Sequence, residues 1–374
     1  MACKGGEAAE KLNNMFKAND DFDLYFVEAD WALMFINDDE KTAPLSDLGF
    51  TDDNFADIYS YTDEIGKSSS GVRKGVSWQA AAGGFAYRTD LAEQYLGVKT
   101  PDEMQAKVGD WASFKDAAKT VSEQSGGNTA LCDSLGGLWQ VFAAGRTQPW
   151  VDSSDTLQVD DSCKEFAELA KELWDGGGVT QVDQWSPDWL PMGSTDKVMG
   201  YFVSTWGFGD TILVGAAGGE GKGTYGKWNV CVGPQEYFWG GTWMVVNPKT
   251  DNAEEAQSFI KTFTVDDEQI KEYALNKPEY CNNVNVMADI VANPDYKDTK
   301  VLNNLQGQNY FEVLDKSVKG VNLNGLVTPY DATIKSKFLD TVKESYVKGG
   351  KSWDETVEDF KDAVSVELEE VVVE

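Results

Sequence analysis

The sequence predicts an α/β protein of two domains, and three observations carry that expectation. Its 374 residues exceed what one ordinary hydrophobic core accommodates. Segments of helical periodicity alternate with short apolar runs along the whole chain. Glycine pairs at 83–84 and 240–241 sit beside strand-like runs, where a chain passing between domains would need flexible crossings.

The elements follow in order. A helix is expected from Glu7 to Lys17, with Leu12, Met15 and Phe16 on one face. Leu24-Tyr25-Phe26-Val27 is short and continuously apolar, which predicts a strand buried on both faces. Further strands are expected at Val76–Gln79, Phe85–Arg88, Val198–Val203, Trp228–Val232 and Thr242–Val246. Thr100, Pro101 and Glu103 spell a cap, a first-turn proline and a capping-box acid. Asp110 opens a helix carrying Phe114, Ala117, Ala118 and Val121. In 161–174, Phe166, Leu169, Ala170 and Leu173 share a face before the glycines 176–178 stop the helix. Asp251 and Glu254 bracket the start of a helix bearing Ala256, Phe259, Ile260 and Phe263. Another runs from Thr333 through Ile334, Phe338, Val342 and Tyr346 to Gly349. Ser352 and Glu355 form a last capping box.

Composition excludes several functions. Asp and Glu number 63 against 32 Lys and Arg, a net charge of −31. The acids are spread along the chain, so the field is that of an acidic surface, which repels phosphate backbones and favours a soluble monomer. Histidine is absent, which removes Ser-His-Asp and Cys-His machinery and the commonest metal ligand. No run approaches the roughly 18 apolar residues of a membrane span. The five cysteines form no CxxC pair, so no zinc site is expected. Cys132, Cys163, Cys231 and Cys281 allow two disulfides in three ways, or four buried thiols. Gly221-Lys222-Gly223-Thr224-Tyr225-Gly226-Lys227-Trp228 imitates a P-loop, but Trp228 stands where the magnesium-binding hydroxyl belongs and no helix follows, so it reads as a surface loop. Carboxylates are plentiful, yet none is singled out by an apolar setting that would raise its pKa.

The 13 tryptophans carry more information. Trp78 stands at a strand end, and Trp206 follows a strand just before a helix with Ile212, Leu213 and Val214. Trp239 and Trp243 flank Gly240 and Gly241. In open α/β sheets, ligands bind beyond the carboxyl ends of strands. Sugar rings offer apolar C–H faces to flat aromatic side chains and hydroxyls to amides and carboxylates. A single tryptophan is more often core than ligand contact, by about two to one; several at strand ends and glycine crossings shift that balance. Glu28 and Asp30 with Trp31, Arg146 with Trp150, Asn282 with Asn283, Asn309 with Tyr310 and Tyr330 with Asp331 fit the same role, although asparagine pairs more often mark turns.

Five blocks resemble the extracellular solute-binding proteins of family 1, the carbohydrate receptors of ABC importers related to maltose-binding protein. They are Leu24 to Trp31; Val76 to Ala80 with Phe85 to Leu91; Gly200 to Trp206; Trp239 to Trp243; and Gly307 to Phe311 leading to Thr328 to Asp331. The resemblance implies a periplasmic-binding-protein-like fold of type II, with two lobes and the ligand cleft between them. It places lobe 1 at 1–85 plus 238–290 and lobe 2 at 86–237 plus 291–374, with crossings near 83–86, 234–240 and 288–294. The strand, helix and strand that usually open the family are missing before Glu7. Met1-Ala2-Cys3-Lys4-Gly5-Gly6 resembles the end of a lipobox, with Cys3 as lipid anchor on a Gram-positive cell surface; the plain alternative is an initiator methionine and an incidental cysteine.

The expected function is therefore binding of a sugar outside the cell and delivery to ABC permease subunits, with no cofactor, no metal and no catalysis. The rival is a carboxylate-based glycoside hydrolase or lyase in the same cleft; a receptor that passes its ligand to a surface sensor is a third option.

Overall fold

The computed structural model describes residues 5–209, 213–277 and 279–374. Among them run seven strands, β1 (Leu24–Glu28), β2 (Gly75–Ser77), β3 (Gly83–Arg88), β4 (Ala130–Cys132), β5 (Val198–Ser204), β6 (Trp228–Cys231) and β7 (Thr242–Val246). They form two sheets, of order β1-β7-β2 and β4-β5-β3-β6. All pairs are antiparallel except β4 with β5.

The two sheets are joined where chain segments run side by side. Gln79 bridges Cys281, and Ala82 bridges Phe238. The lobe boundary expected at 85/86 falls inside β3, whose residues from Gly83 onward pair in the second sheet. Each sheet packs helices on its faces. Val76, Met244 and Val246 lie under the helix Ala253–Thr264, and Phe85, Phe114 and Phe202 lie together beneath the second sheet's helices.

The local signals explain most boundaries. Thr100 and Glu103 close the capping box, with Glu103 N–H donating to Thr100 Oγ1 at 3.2 Å. Asp110 accepts from Ser113 N–H at 2.8 Å, and Ser352 with Glu355 caps the last helix. The helix whose start Asp251 and Glu254 bracket begins at Ala253, led by Asn252 without a side-chain cap. Two elements differ from expectation. Strand β1 is an edge strand whose burial alternates, and Phe26 is 44% exposed, because the helical cover on that face ends at the equally exposed Phe259. The helix expected from Thr333 begins at Asp331 and passes into a π-helical turn, Val342–Lys348. Cys132, Cys163, Cys231 and Cys281 are buried free thiols. The loop 221–227 leads into β6, and Trp228 is buried with its Nε1 donating to Thr224 Oγ1. Among the described residues, no helix is long and apolar enough to cross a membrane.

Candidate functional site: a tryptophan-walled cleft

Between the two sheets lies a cleft of about 1660 Å³. The first sheet contributes Glu28 at the end of β1, then Asp30, Trp31 and Gln79. The second contributes the start of the helix Leu135–Phe142 and the loop carrying Gln184 and Trp185. The helix Asp331–Thr341 supplies Lys335 and Asp340, and the opening helix Gly5–Ala18 supplies Glu10 and Asn13.

One corner is aromatic. Trp206 follows β5, and its indole N–H donates to the Trp239 carbonyl at 2.8 Å, which fixes the ring. The chain reaches that carbonyl because Gly240 takes φ +68°, and a Cβ there would stand 3.3 Å from Trp206 Nε1. Trp206 meets Trp239 edge to face at 5.1 Å and lies stacked with Trp185 at 6.0 Å and 25°. Trp185 is 56% exposed and has φ +67°, a strained conformation for a bulky residue. It leans on Trp189, ring centres 4.7 Å apart.

The support behind that corner is polar and buried. Trp189 Nε1 donates to Asp133 Oδ2 at 2.6 Å, and Tyr201 OH donates to the Trp189 carbonyl at 3.0 Å. Asp133 is fully buried beneath the start of the helix Leu135–Phe142, where Ser134 Oγ donates to it at 2.7 Å. Gly137 leaves room for this carboxyl, since a Cβ there would stand 2.8 Å from Asp133 Oδ1. Burial pushes the Asp133 pKa up to about 6, against the hydrogen bonds from Ser134 and Trp189.

The floor is charged. Lys335 pairs with Asp30 across the cleft, from the helix Asp331–Thr341 to the turn after β1. Burial opposes the Lys335 charge, but Asp30 and Glu28 hold its pKa above the ordinary value. Burial, with the Asp30 charge, pushes Glu28 up to about 8, whereas the sequence marks no carboxylate as set in apolar surroundings. Asp30 N–H donates to Glu28 Oε2 at 3.1 Å. Three N–H donors on the walls, Trp31 Nε1, Trp139 Nε1 and Gln184 Nε2, are buried without a partner. Buried donors are almost always satisfied, and these three are not met within the protein. Among the described residues no three His, Cys, Asp or Glu converge as metal ligands.

Of the residues expected at the site, Asp30, Trp31, Trp206, Trp239 and Gly240 line the cleft. The others lie elsewhere. Trp78 is half-buried on the other face of its sheet against Phe26, 5.9 Å away. Trp243 is buried, with Nε1 donating to Thr62 O. Arg146 lies over Trp150 at 3.9 Å and lines a separate cavity of about 110 Å³ behind the Asp30–Lys335 pair. Asn282 spends its amide on Ser77 O and Tyr59 N–H, and Asn283 caps the helix Val284–Ala292. Asn309 binds Val291 O and Tyr296 OH. Tyr330 packs against the core cluster of the second sheet. Cys3 and Ile212 lie outside the described residues. Glu28, expected beside Asp30 and Trp31, lines the cleft as well. Trp185 was not expected there, although its signal was a pair of tryptophans, with Trp189, in a proline-containing loop, and neither were Gln79 and Lys335.

No curated protein sequence matches this chain. Many solved structures share the fold. An extracellular solute-binding protein of family 1 superposes with TM-score 0.81 at 18% identity, over 97% of this chain and 91% of that one. The galacto-N-biose-/lacto-N-biose I-binding protein of the Bifidobacterium longum ABC transporter superposes with TM-score 0.75 at 16% identity, over 100% and 89%. The ABC-transporter-associated binding protein of B. animalis subsp. lactis Bl-04, in complex with β-1,6-galactobiose, gives 0.76 at 18%, over 100% and 92%. These likenesses establish a two-lobed α/β fold. The profile of one family matches residues 3–304, and with the fold it makes this chain a member of the bacterial extracellular solute-binding proteins.

Proposed function

We propose that this protein binds a carbohydrate in the cleft and delivers it to an ABC importer. The observation that carries the reading is the aromatic corner. Trp185 and Trp206, backed by the buried Trp239, turn flat apolar surface toward a cleft whose other walls hold polar side chains and carboxyl groups. Alternating apolar faces and hydroxyls are the chemistry of a sugar. The cleft, at about 1660 Å³, exceeds the roughly 300–1,000 Å³ of a usual small-molecule pocket, which suits an oligosaccharide. The two Bifidobacterium proteins of like fold, one of them named for two disaccharides and the other bound to a third, support the same ligand class.

The lobes are taken as 1–82 with 238–290 and 83–237 with 291–374, the first boundary moved from 85/86 to precede β3. A ligand that touches both lobes favours the closed state, and the permease reads that state. The protein acts outside the cell as a monomer, held by a lipid on Cys3, and performs no catalysis. Titrating a glycan panel while following tryptophan fluorescence and calorimetric heat tests the binding. A shift with heat from at least one glycan is expected, and silence across a broad panel removes the reading. Chromatography of the recovered glycans is expected to show them intact; cleaved products would make this an enzyme.

A further inference from the structure

The charges around the cleft bear on which sugars it admits, an inference that rests on reading the cleft as a sugar site. Among the described residues six acids and four lysines line it, and no arginine does. Three of the lysines are committed. Lys335 pairs with Asp30, Lys343 with Asp183, and Lys337 with Glu367 at 2.7 Å. The fourth, Lys17, is exposed on the opening helix, which also turns Glu10 to the cleft.

An anionic ligand that captured Lys335 would uncover Asp30 beside Glu28, and one that captured Lys343 would uncover Asp183. Each exchange leaves a bare carboxylate where a pair stood, so the anion gains nothing net. The forked guanidinium that suits carboxylate and sulfate is missing from the walls. The buried donors that remain unpaired are uncharged, namely the indole N–H of Trp31 and Trp139 and the Gln184 amide. They match hydroxyl and ring oxygens. Asp340 adds a further exposed negative charge at the rim, and the net charge of −31 repels anions before they arrive.

We infer that the cleft admits uncharged sugars and rejects glycans bearing uronate, sulfate or phosphate. The test uses matched pairs that share one backbone, a neutral oligosaccharide and its derivative oxidised at C6 to the carboxylate or sulfated there. Calorimetry is run at low and high salt. The neutral member is expected to bind, and the charged member to bind on the order of tenfold more weakly or worse. High salt should narrow the gap, since the exposed part of the repulsion is screened. The double variant Glu10→Lys, Asp340→Lys should narrow it too. A charged member that binds as tightly as its neutral partner overturns the inference while sugar binding stands. A gap that ignores both salt and the double variant overturns its electrostatic basis. If neither member of any pair binds, the sugar reading falls and this inference with it.

Discussion

Trp185 offers the sharpest separation of binding from folding. Its ring is 56% exposed. Taking a tryptophan side chain as roughly 250 Å², about 140 Å² of it faces solvent. A sugar stacked on one face covers about half of that, roughly 70 Å², worth about 1.8 kcal/mol at ~25 cal/mol per Å². Trp185→Ala should therefore weaken glycan binding about twentyfold. Its effect on stability runs the other way in part. The substitution removes the contacts with Trp189 and Trp206, on the order of 1 kcal/mol, and leaves an alanine at φ +67°. Trp185→Gly loses the same ring but relieves the left-handed strain, about 1 kcal/mol. The two variants should thus bind equally badly while the glycine one melts within about 2 °C of the wild type. Calorimetry with the tightest glycan and thermal melts without ligand read the two effects apart. Unchanged affinity in both variants would refute the platform role. An affinity loss in the alanine variant alone would trace the effect to backbone strain instead.

Two further outcomes follow from the buried carboxyls. Asp133→Ala should leave the Trp189 indole N–H and the Ser134 hydroxyl unpaired at about 1–3 kcal/mol each, and should disorder the Trp185 corner. Asp133→Asn keeps an acceptor for Trp189, so near-UV circular dichroism should stay close to wild type in Asn and collapse in Ala; equal spectra would show that the bond does not position the corner. Burial raises Glu279 from 4.5 to about 8, against its hydrogen bond from Gln79. The unfolded chain gives up this proton first, so the stability tied to the group is full below pH 4.5 and is lost as pH rises to about 8. Glu279→Gln should make denaturant unfolding less pH-dependent across that window, raising stability near pH 9 by up to about 5 kcal/mol; a slope unchanged by the substitution would show that Glu279 ionises normally.

Much of the fold was legible because its signals are local. Thr100, Pro101 and Glu103 act within one turn, and so do Asp110 with Ser113 and Ser352 with Glu355. The apolar runs at β3 and β5 are long enough to be read as buried strands, and both are buried throughout. Strand β4 was missed because Ala130–Cys132 is only three residues long and follows a glycine turn. Strand β1 was read as buried on both faces because apolar sequence records what a strand can bury, whereas the helix that would have covered Phe26 stops at Phe259. The cleft floor was illegible for a related reason: Asp30 and Lys335 are three hundred residues apart in sequence, and only the packing of the helix Asp331–Thr341 against the turn after β1 brings them together.

The tryptophans show where reading a sequence reaches its limit. Residues at a strand end alternate between two faces with period two. In β7, Thr242 lines the cleft, so its neighbour Trp243 turns away and donates into the core at Thr62. At the end of β2, Gln79 lines the cleft, and Trp78 likewise packs on the far side against Phe26. Both tryptophans stand at the right strand ends with the wrong parity. Nothing in an apolar strand buried on two sides tells one parity from the other, because both faces demand hydrophobic residues. Trp206 and Trp239 escape the ambiguity because they lie just past β5 and just before the glycine crossing, where the alternation has ended and the Trp206 indole is turned by its bond to the Trp239 carbonyl. Trp185 stands on neither strand nor helix, and is held by rings rather than by a ladder. In this cleft the aromatic corner comes from the loop at Trp185, the helix start at Trp206 and the crossing at Trp239, while the strand ends contribute polar groups, Glu28, Gln79 and Thr242, the last two one residue to the side of Trp78 and Trp243.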